Sequence, residues 1–454
     1  MKSKISFLAK IAMIAALLLP IAATTLAADK PKKLLVVTAT QGFRHSSIPL
    51  AEKVLAGLGE TTGIYTVDYV RGGADGKSDA DVKEKMTAEA LKQYDGIVFA
   101  NTTGDLPMPD KQALIDFVNS GKGFIGMHSA SDTFHNFRPF IEMIGGEFLT
   151  HGEQATVDCI NQHHDHPATK HLGAKYTVHD EIYILKNFHR EKVHGLLTLD
   201  KHPNTKSPGD YPIAWTKQIG KGRLFYTSLG HREDVWTSKA YQDHILGGIK
   251  WALGLEKADT APQKTSAALT PEEKKAGFKP LFNGENLDGW KHRNENGLKS
   301  WSVQNGMLVN TIPKDQHGTD LVSEKKFRDF TVRYEYMVPK GANSGFYLRG
   351  RHEIQVFDDG DSKEPKLSGN GAIYNIKPAS TFVSRKAGEW QEVEATMIGN
   401  KVTVYLNGVK IHDQVEVNKA TGSELDANLD QPGSFFLQGD HGEVAFRNIR
   451  VKTL

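Results

Sequence analysis

The sequence predicts two joined domains: an α/β doubly wound domain, then an all-β sandwich or jelly roll. Three observations carry this. The 454-residue chain is too long for one ordinary domain. From Lys33 to about Leu255, short apolar runs alternate with helical patterns. After Phe278, strand-sized runs sit between turn signals, with no convincing long helix. Between them "EKADTAPQKTSAALTPEEKKAG" has no apolar period and reads as a linker. The expected boundaries are a leader over 1–27, the α/β domain over 30–256, a linker over 257–275 and the β domain over 276–454.

The leader has a basic start, "MKSKISFLAK", and an apolar core, "IAMIAALLLPIAA", too short to read as a spanning helix. Thr25 and Ala27 suit cleavage after Ala27; a retained amphipathic or membrane anchor is the alternative. No cysteine lies nearby for a lipid anchor, and no later segment suits a stable membrane span. The mature protein is therefore expected to be exported, either periplasmic or secreted. Charge is nearly balanced, 56 basic against 54 acidic side chains, so nucleic acid is not a favoured partner. A single cysteine, Cys159, excludes an intramolecular disulfide and a multi-cysteine metal site.

In the first domain "KLLVVTAT" reads as a buried strand and "IPLAEKVLAGLGE" as a helix begun by Pro49. "YTVDYV", "GIVFAN" and "GFIGMHS" are strands, and "PDKQALIDFVNSG" is a helix ending at Gly121. "EQATVDCI", "GLLTLD", "PIAWTKQIG" and "GRLFYTSLG" are further strands, and "YQDHILGGIKWALG" is the closing helix. This alternation implies a mostly parallel sheet covered on both faces. Ligands of such sheets sit at the carboxyl ends of strands. The first strand leads to Arg44 and His45. The fourth leads into Gly126-Met127-His128-Ser129-Ala130, with His128 where hydrolases and amidotransferases present a nucleophile. Cys159 sits in an apolar strand and reads as inert core, which disfavours a thiol amidotransferase. His45, His128, His151, Glu181 and His231 all fall in loop-end stretches. Imidazoles with a carboxylate suit zinc or a similar divalent metal, with His45, His128, Glu181 and His231 as the ligand set. The alternative is a group of histidines hydrogen-bonding sugar hydroxyls. The run "NQHHDHPATKH" reads mainly as a solvated loop rather than a metal tract. The stretches "GFRH", "GKGFIGMHSASDTF", "GGEFLTHG", "HDEIY" and "GKGRLFYTSLGHREDVW" resemble the trehalose-utilisation ThuA-like family over residues 33 to 255. The resemblance implies a class I glutamine amidotransferase-like (flavodoxin-like) fold and a tie to disaccharide metabolism.

In the second domain Asn305-Gly306, Gly399-Asn400 and Asn407-Gly408 mark tight hairpins. "GANSGFYLRGRHEIQVFDDG" is strand-like yet crowded with ionisable groups; it is either a solvated sheet face or the floor of a site. Alternation puts Glu353, Gln355 and Phe357 on one face of "HEIQVFD", and Tyr347 and Arg349 on one face of "SGFYLRG". A reversal near Gly350 would set these rows side by side. Arg351 reads as a turn or surface residue, and Trp290, Trp301 and Trp390 as core anchors.

The stretches "FNGENLDGW", "SWSVQNGML", "FRDFTVRYEYMVPKGANSGFYLRG", "HEIQVFDD", "GAIYNIKP", "GEWQEVEATMIGNKVTVYLNG" and "LQGDHGEVAFRNIRV" resemble the 3-keto-disaccharide hydrolase domain family, a concanavalin-like jelly roll. Gln391 stands where that family leads one to expect Asn. The resemblance implies an enzyme of 3-keto-glycosides. A ketone at carbon 3 acidifies the hydrogen on carbon 2; a base removes it, the enediolate expels the group on carbon 1, and water adds afterwards. Such a site needs a base, an oxyanion partner and an acid. The implied assignment makes Glu353 the base, Arg349 the oxyanion group or the holder of Glu353, and His441 the acid. Gln355, Asp358, Asn343, Ser344, Tyr374 and Gln438 are the substrate-binding candidates. A metal bridging Glu353 and His441 is not demanded. Neither half shows a glycine-rich dinucleotide fingerprint, so a separate sugar oxidoreductase is expected to make the ketone. The other class of reading is a carbohydrate-binding module that serves the first domain, since this fold hosts lectins as readily as enzymes.

Overall fold

The computed structural model describes residues 30–72, 79–262, 269–313 and 315–454. The leader expected over 1–27 lies outside the described residues. Among those described, no helix is long and apolar enough to cross a membrane.

The first domain is built on a nine-stranded sheet. Five strands run parallel in the spatial order Tyr65–Val70, Lys32–Val37, Gly96–Ala100, Gly123–Met127 and Gly222–Thr227. Four more continue it antiparallel: Pro208–Ile219, His194–Lys201, Ala155–Asn161 and Lys175–Asp180. The doubly wound expectation holds, but a mostly parallel sheet describes only the first half. The added strands include a tight hairpin at Gly220, which needs no crossover helix. One apolar layer packs under helices Ile48–Thr62 and Lys239–Ala252, the other under Gln112–Asn119 and Arg138–Ile144. Gly247 and Gly248 let the last helix lie close on the sheet. A Cβ at Gly248 would stand 2.4 Å from the Phe225 ring, and one at Gly247 would stand 2.2 Å from the Pro167 carbonyl oxygen. Cys159 is buried in this core, as its apolar strand implies.

The second domain is an antiparallel sandwich. One sheet runs Trp301–Gln304, Met307–Asn310, Val444–Thr453, Phe330–Met337, Gln391–Ile398, Lys401–Leu406, Val409–Glu416. The other runs Trp290–His292, Leu321–Phe327, Gly433–Leu437, Asn343–Leu348, His352–Phe357. Inward alternate residues fill the core, where Tyr334 and Phe346 stack at 3.9 Å. Asn305-Gly306 and Asn407-Gly408 both turn through positive φ, as tight hairpins require. Trp290 and Trp301 are core anchors; Trp390 is half-buried against Met307, Val309 and Ala445.

The linker reading needs one correction. Pro271–Ala276 is a helix closed by a reciprocal Thr270/Glu273 cap. Glu273 is buried against Arg450, so this turn is packed on the sandwich. Its apolar content is too low to show a period, which is why the pattern concealed it.

Candidate functional sites

In the first domain the strand ends converge as α/β topology dictates. His45 follows the first strand and His128 the fourth; Glu181 lies in the turn after Lys175–Asp180, and His231 follows Gly222–Thr227. One donor atom from each of His45, His128, Glu181 and His231 lies within 4.8 Å of the others. His151 stands outside this set, half-exposed, with Nδ1 3.2 Å from Glu181 Oε1. His128 takes φ 48°, a left-handed conformation rare for a side-chain-bearing residue, and the chain enters a 3-10 turn there. The elbow expected from "GFIGMHSAS" is therefore present with an imidazole at its apex. Arg44 lies apart, donating to the Thr38 carbonyl.

The electrostatics separate the roles. Burial holds the His45 imidazole down to about 4, and burial with His45 beside it holds His128 well below the usual value, so both are neutral. Burial pulls Glu181 up, but His231 and the other imidazoles outweigh it and keep the carboxylate ionised. Glu181 raises His231 in return. Burial lifts Asp180 to about 6 although it accepts the Gly230, Glu181 and Arg232 N–H groups; it anchors the loops that carry the cluster.

The donor set fits a divalent cation. His128 Nδ1–H donates to the Ser228 carbonyl at 2.8 Å, which leaves Nε2 unprotonated, with its lone pair as an acceptor. Tyr183 O–H donates to that lone pair at 3.0 Å. His231 Nδ1 lies 3.3 Å from Glu181 Oε2, buried and off the line of a hydrogen bond. Neutral His45 and His128 beside the ionised Glu181 carboxylate are in the protonation states that metal ligation needs, and His231, raised by Glu181, would release its proton on ligation. The "NQHHDHPATKH" tract is not a simple solvated loop: His166 is fully buried and His163 bonds His194 at 2.7 Å.

In the second domain the chain does reverse at Gly350. Arg349 and Gly350 have φ 51° and 71°, and Arg351 N–H donates to the Leu348 carbonyl at 3.1 Å. The strands on either side pair Tyr347 with Glu353 and Gly345 with Gln355. The outer face of the five-stranded sheet therefore carries Glu353, Tyr347 and Phe436 in one row, with Gln355 and Gly345 in the next. Tyr347 stacks on Phe436 at 3.7 Å and donates its O–H to Glu353 Oε2 at 2.8 Å. Glu353 is 3% exposed. Its other oxygen sits over Gly345, where a Cβ would stand 2.3 Å away and push the carboxylate from its place. Burial raises the Glu353 carboxyl to about 7; the Tyr347 hydrogen bond and His441 pull it down, while Asp440 and Asp320 push it up. Gln355 and Gln438 are buried on this side, each with an amide oxygen that has no partner. His441 is exposed at the loop after Gly433–Leu437 and bonds Asp440. Asn343 bonds Gln355 at 3.0 Å, and Tyr374 lies half-buried with its N–H on the Glu353 carbonyl.

Three candidates are placed elsewhere. Arg349 leaves the strand at the turn, so alternation no longer applies to it; its guanidinium binds the Arg328 and Leu429 carbonyls and Asp329. Among the described residues no arginine holds Glu353; Tyr347 does. Ser344 has the opposite parity, is fully buried and donates to the Gln438 carbonyl. Asp358 accepts the Gly341 N–H at 2.8 Å and closes a turn. Arg351 is buried against Asp426 and the Gln431 carbonyl instead of lying at the surface. The sequence reading left out Tyr347 as a partner of Glu353, although it had the correct face. It also left out Asp320 and Arg293, which pair at 3.1 Å; the Arg293 guanidinium lies 5.5 Å over the Phe436 ring. The glycine inside "SGFYLRG" was the available signal of a close approach.

Comparison with known proteins supports both resemblances. Residues 33–252 match the ThuA family, described as trehalose utilisation. Residues 277–452 match the family described as 3-keto-alpha-glucoside-1,2-lyase-like domain. A Bacteroides thetaiotaomicron protein named 3-keto-disaccharide hydrolase is 26% identical over 236 residues, covering 39% of this chain and 79% of that protein. Among solved structures, a candidate glycosyl hydrolase of Parabacteroides distasonis is 23% identical, with TM-score 0.35, covering 42% of this chain and 99% of that one. A candidate ThuA-like protein of Parabacteroides merdae is 21% identical, with TM-score 0.43, covering 51% and 92%.

Proposed function

We propose that the protein is a carbohydrate-active enzyme whose second domain cleaves 3-keto-glycosides, with Glu353 as the base. The observation that carries this is a buried carboxyl raised to about 7, on a sheet face whose neighbouring glutamines have unpartnered amide oxygens. A base poised near neutral pH can take the weakly acidic hydrogen on carbon 2 and later return a proton. The electron pair left on carbon 2 delocalises onto the carbon-3 oxygen, then expels the leaving group from carbon 1, and His441 supplies that oxygen with a proton. Water adding across the new double bond completes net hydrolysis. A family described as a lyase and a relative named a hydrolase are both compatible with this order of events. Gln355 and Gln438 accept sugar hydroxyls; Arg293 borders this face with its guanidinium held by Asp320 and the Ser423 and Glu424 carbonyls.

The first domain is proposed to hold a divalent cation of the zinc class on His45, His128, Glu181 and His231, and to act on a related keto-sugar. Bound there, the ion would polarise a carbonyl or a hydroxyl of the sugar. A leader over 1–27 would place the enzyme outside the cytoplasm, and a separate oxidoreductase would supply its substrate.

The test gives the full chain an aryl 3-keto-glucoside in deuterated water. Glycone release with deuterium at carbon 2, both lost in Glu353→Gln, is the expected result. Saturable binding without turnover would replace the enzyme with a carbohydrate-binding module.

A further inference from the structure

A cavity of about 800 Å³ lies in the seam between the two domains, away from both sites described above. Its floor is the outward side of Ala155–Asn161, with Thr156 and Asp158, and its rim includes Lys175. The turn that carries Lys201 and Lys206 closes one side, and the sandwich supplies Gly388, Glu389 and Trp390. The seam is tightly built. Trp390 Nε1–H donates to Asp200 at 2.5 Å, and the Arg447 guanidinium covers the indole at 3.8 Å. A Cβ at Gly388 would stand 2.9 Å from Lys206 Cβ, so bare backbone meets the turn there.

The charges in this cavity are incompletely paired. The Lys201 ammonium donates to the Gly388 carbonyl and that of Lys206 to the Pro203 carbonyl. Among the described residues, neither these ammoniums nor that of Lys175 has a carboxylate at ion-pair distance. Burial, with Lys201 nearby, holds Lys206 below the ordinary lysine value. Like charges left together in a partly buried cleft repel, and a bound anion relieves that. Among the described residues, Asp158 and Glu389 line the same space without cationic partners; Asp158 accepts the Thr177 hydroxyl at 2.7 Å. Carboxylates without cations are acceptors for O–H donors. A ligand that suits both ends carries one anionic group and several hydroxyls, and the volume falls in the ~300–1,000 Å³ range of small-molecule sites.

We propose that this seam binds an anionic sugar, its charged group on Lys201 and Lys206 and its hydroxyls on Asp158 and Glu389. Such a ligand touches both domains and fixes their relative position. The inference stands apart from the reaction assigned to Glu353, and either can fail alone.

Calorimetry on the full chain tests it with D-glucuronate, D-glucose 6-phosphate, neutral D-glucose and inorganic phosphate. At least one anionic sugar should bind tenfold or more tighter than both glucose and phosphate, and which one separates a carboxylate from a phosphate source. Added salt should weaken it, and Lys201→Met with Lys206→Met should weaken it at least tenfold while keto-glucoside turnover is unchanged. Equal binding of glucose, equal binding of inorganic phosphate (an adventitious ion only) or no binding of either anionic sugar overturns the proposal. Should the double variant not fold, Lys175→Met serves instead: a several-fold loss is expected, and unchanged affinity with salt-independent binding overturns the assignment.

Discussion

Replacing Tyr347 by Phe isolates one interaction. The ring keeps its 3.7 Å stack on Phe436, and only the O–H that donates to Glu353 Oε2 is lost. A hydrogen bond to a charged group contributes roughly 1.5–3 kcal/mol, or about 1–2 pH units at ~1.4 kcal/mol per unit. It favours the ionised form, so its removal moves Glu353 upward from about 7. With an aryl 3-keto-glucoside, kcat/KM of the native protein should rise with pH through about 7, because the carboxylate is the base. In Tyr347→Phe that limb should lie about 1–2 units higher. At pH 7 the ionised fraction falls from about half to roughly 1–10%, so activity drops about 5–50-fold there and recovers at high pH. The assay is phenol release followed from pH 5 to 10. An unmoved limb, or an equal loss at every pH, would refute Glu353 as a base held by Tyr347.

Glu353→Gln should lower turnover by about 10²–10⁴. Its stability effect depends on pH: the folded value of about 7 exceeds the ordinary 4.5, so the native carboxyl favours folding fully below 4.5 and loses that contribution as pH rises through 7. The gap of the variant over the native protein should therefore grow by roughly 3 kcal/mol between pH 4.5 and 8 in denaturant unfolding of the sandwich transition. His441→Ala should slow substrates with poor leaving groups far more than nitrophenyl ones, and an equal loss with both would remove its role as acid. Arg349→Met should destabilise the sandwich by about 1–3 kcal/mol, because the Arg328 and Leu429 carbonyls lose their donor and Asp329 is left with the Gly399 N–H, yet folded protein should keep its kcat/KM. Purified protein should contain about one divalent metal ion by mass spectrometry, lost on chelation and in His231→Ala, with a lower midpoint of thermal unfolding.

Much of this molecule was legible as pattern. Apolar periodicity located the strands of both domains, because burial on one or both faces imposes it locally. The histidines and Glu181 were legible as a group because α/β topology brings the ends of parallel strands to one edge. The tyrosine and glycine beside Glu353 are plain in the sequence, but their function is a matter of cross-strand register. Alternation holds only while a residue stays in the strand. Arg349 had the right parity and lost it at the turn, and the parity of Ser344 already pointed to the core.

The order of the two domains, their strands, and the residue types suited to proton and metal chemistry are written in the chain itself. These follow from local burial and turn chemistry. Packing in three dimensions buries Glu353 beside Tyr347, which raises it to about 7, and turns Arg349 and Arg351 to the service of the fold. It alone brought four donors within 4.8 Å. Each of these depends on desolvation and on partners distant in sequence or across a strand pair, and neither composition nor period carries that information.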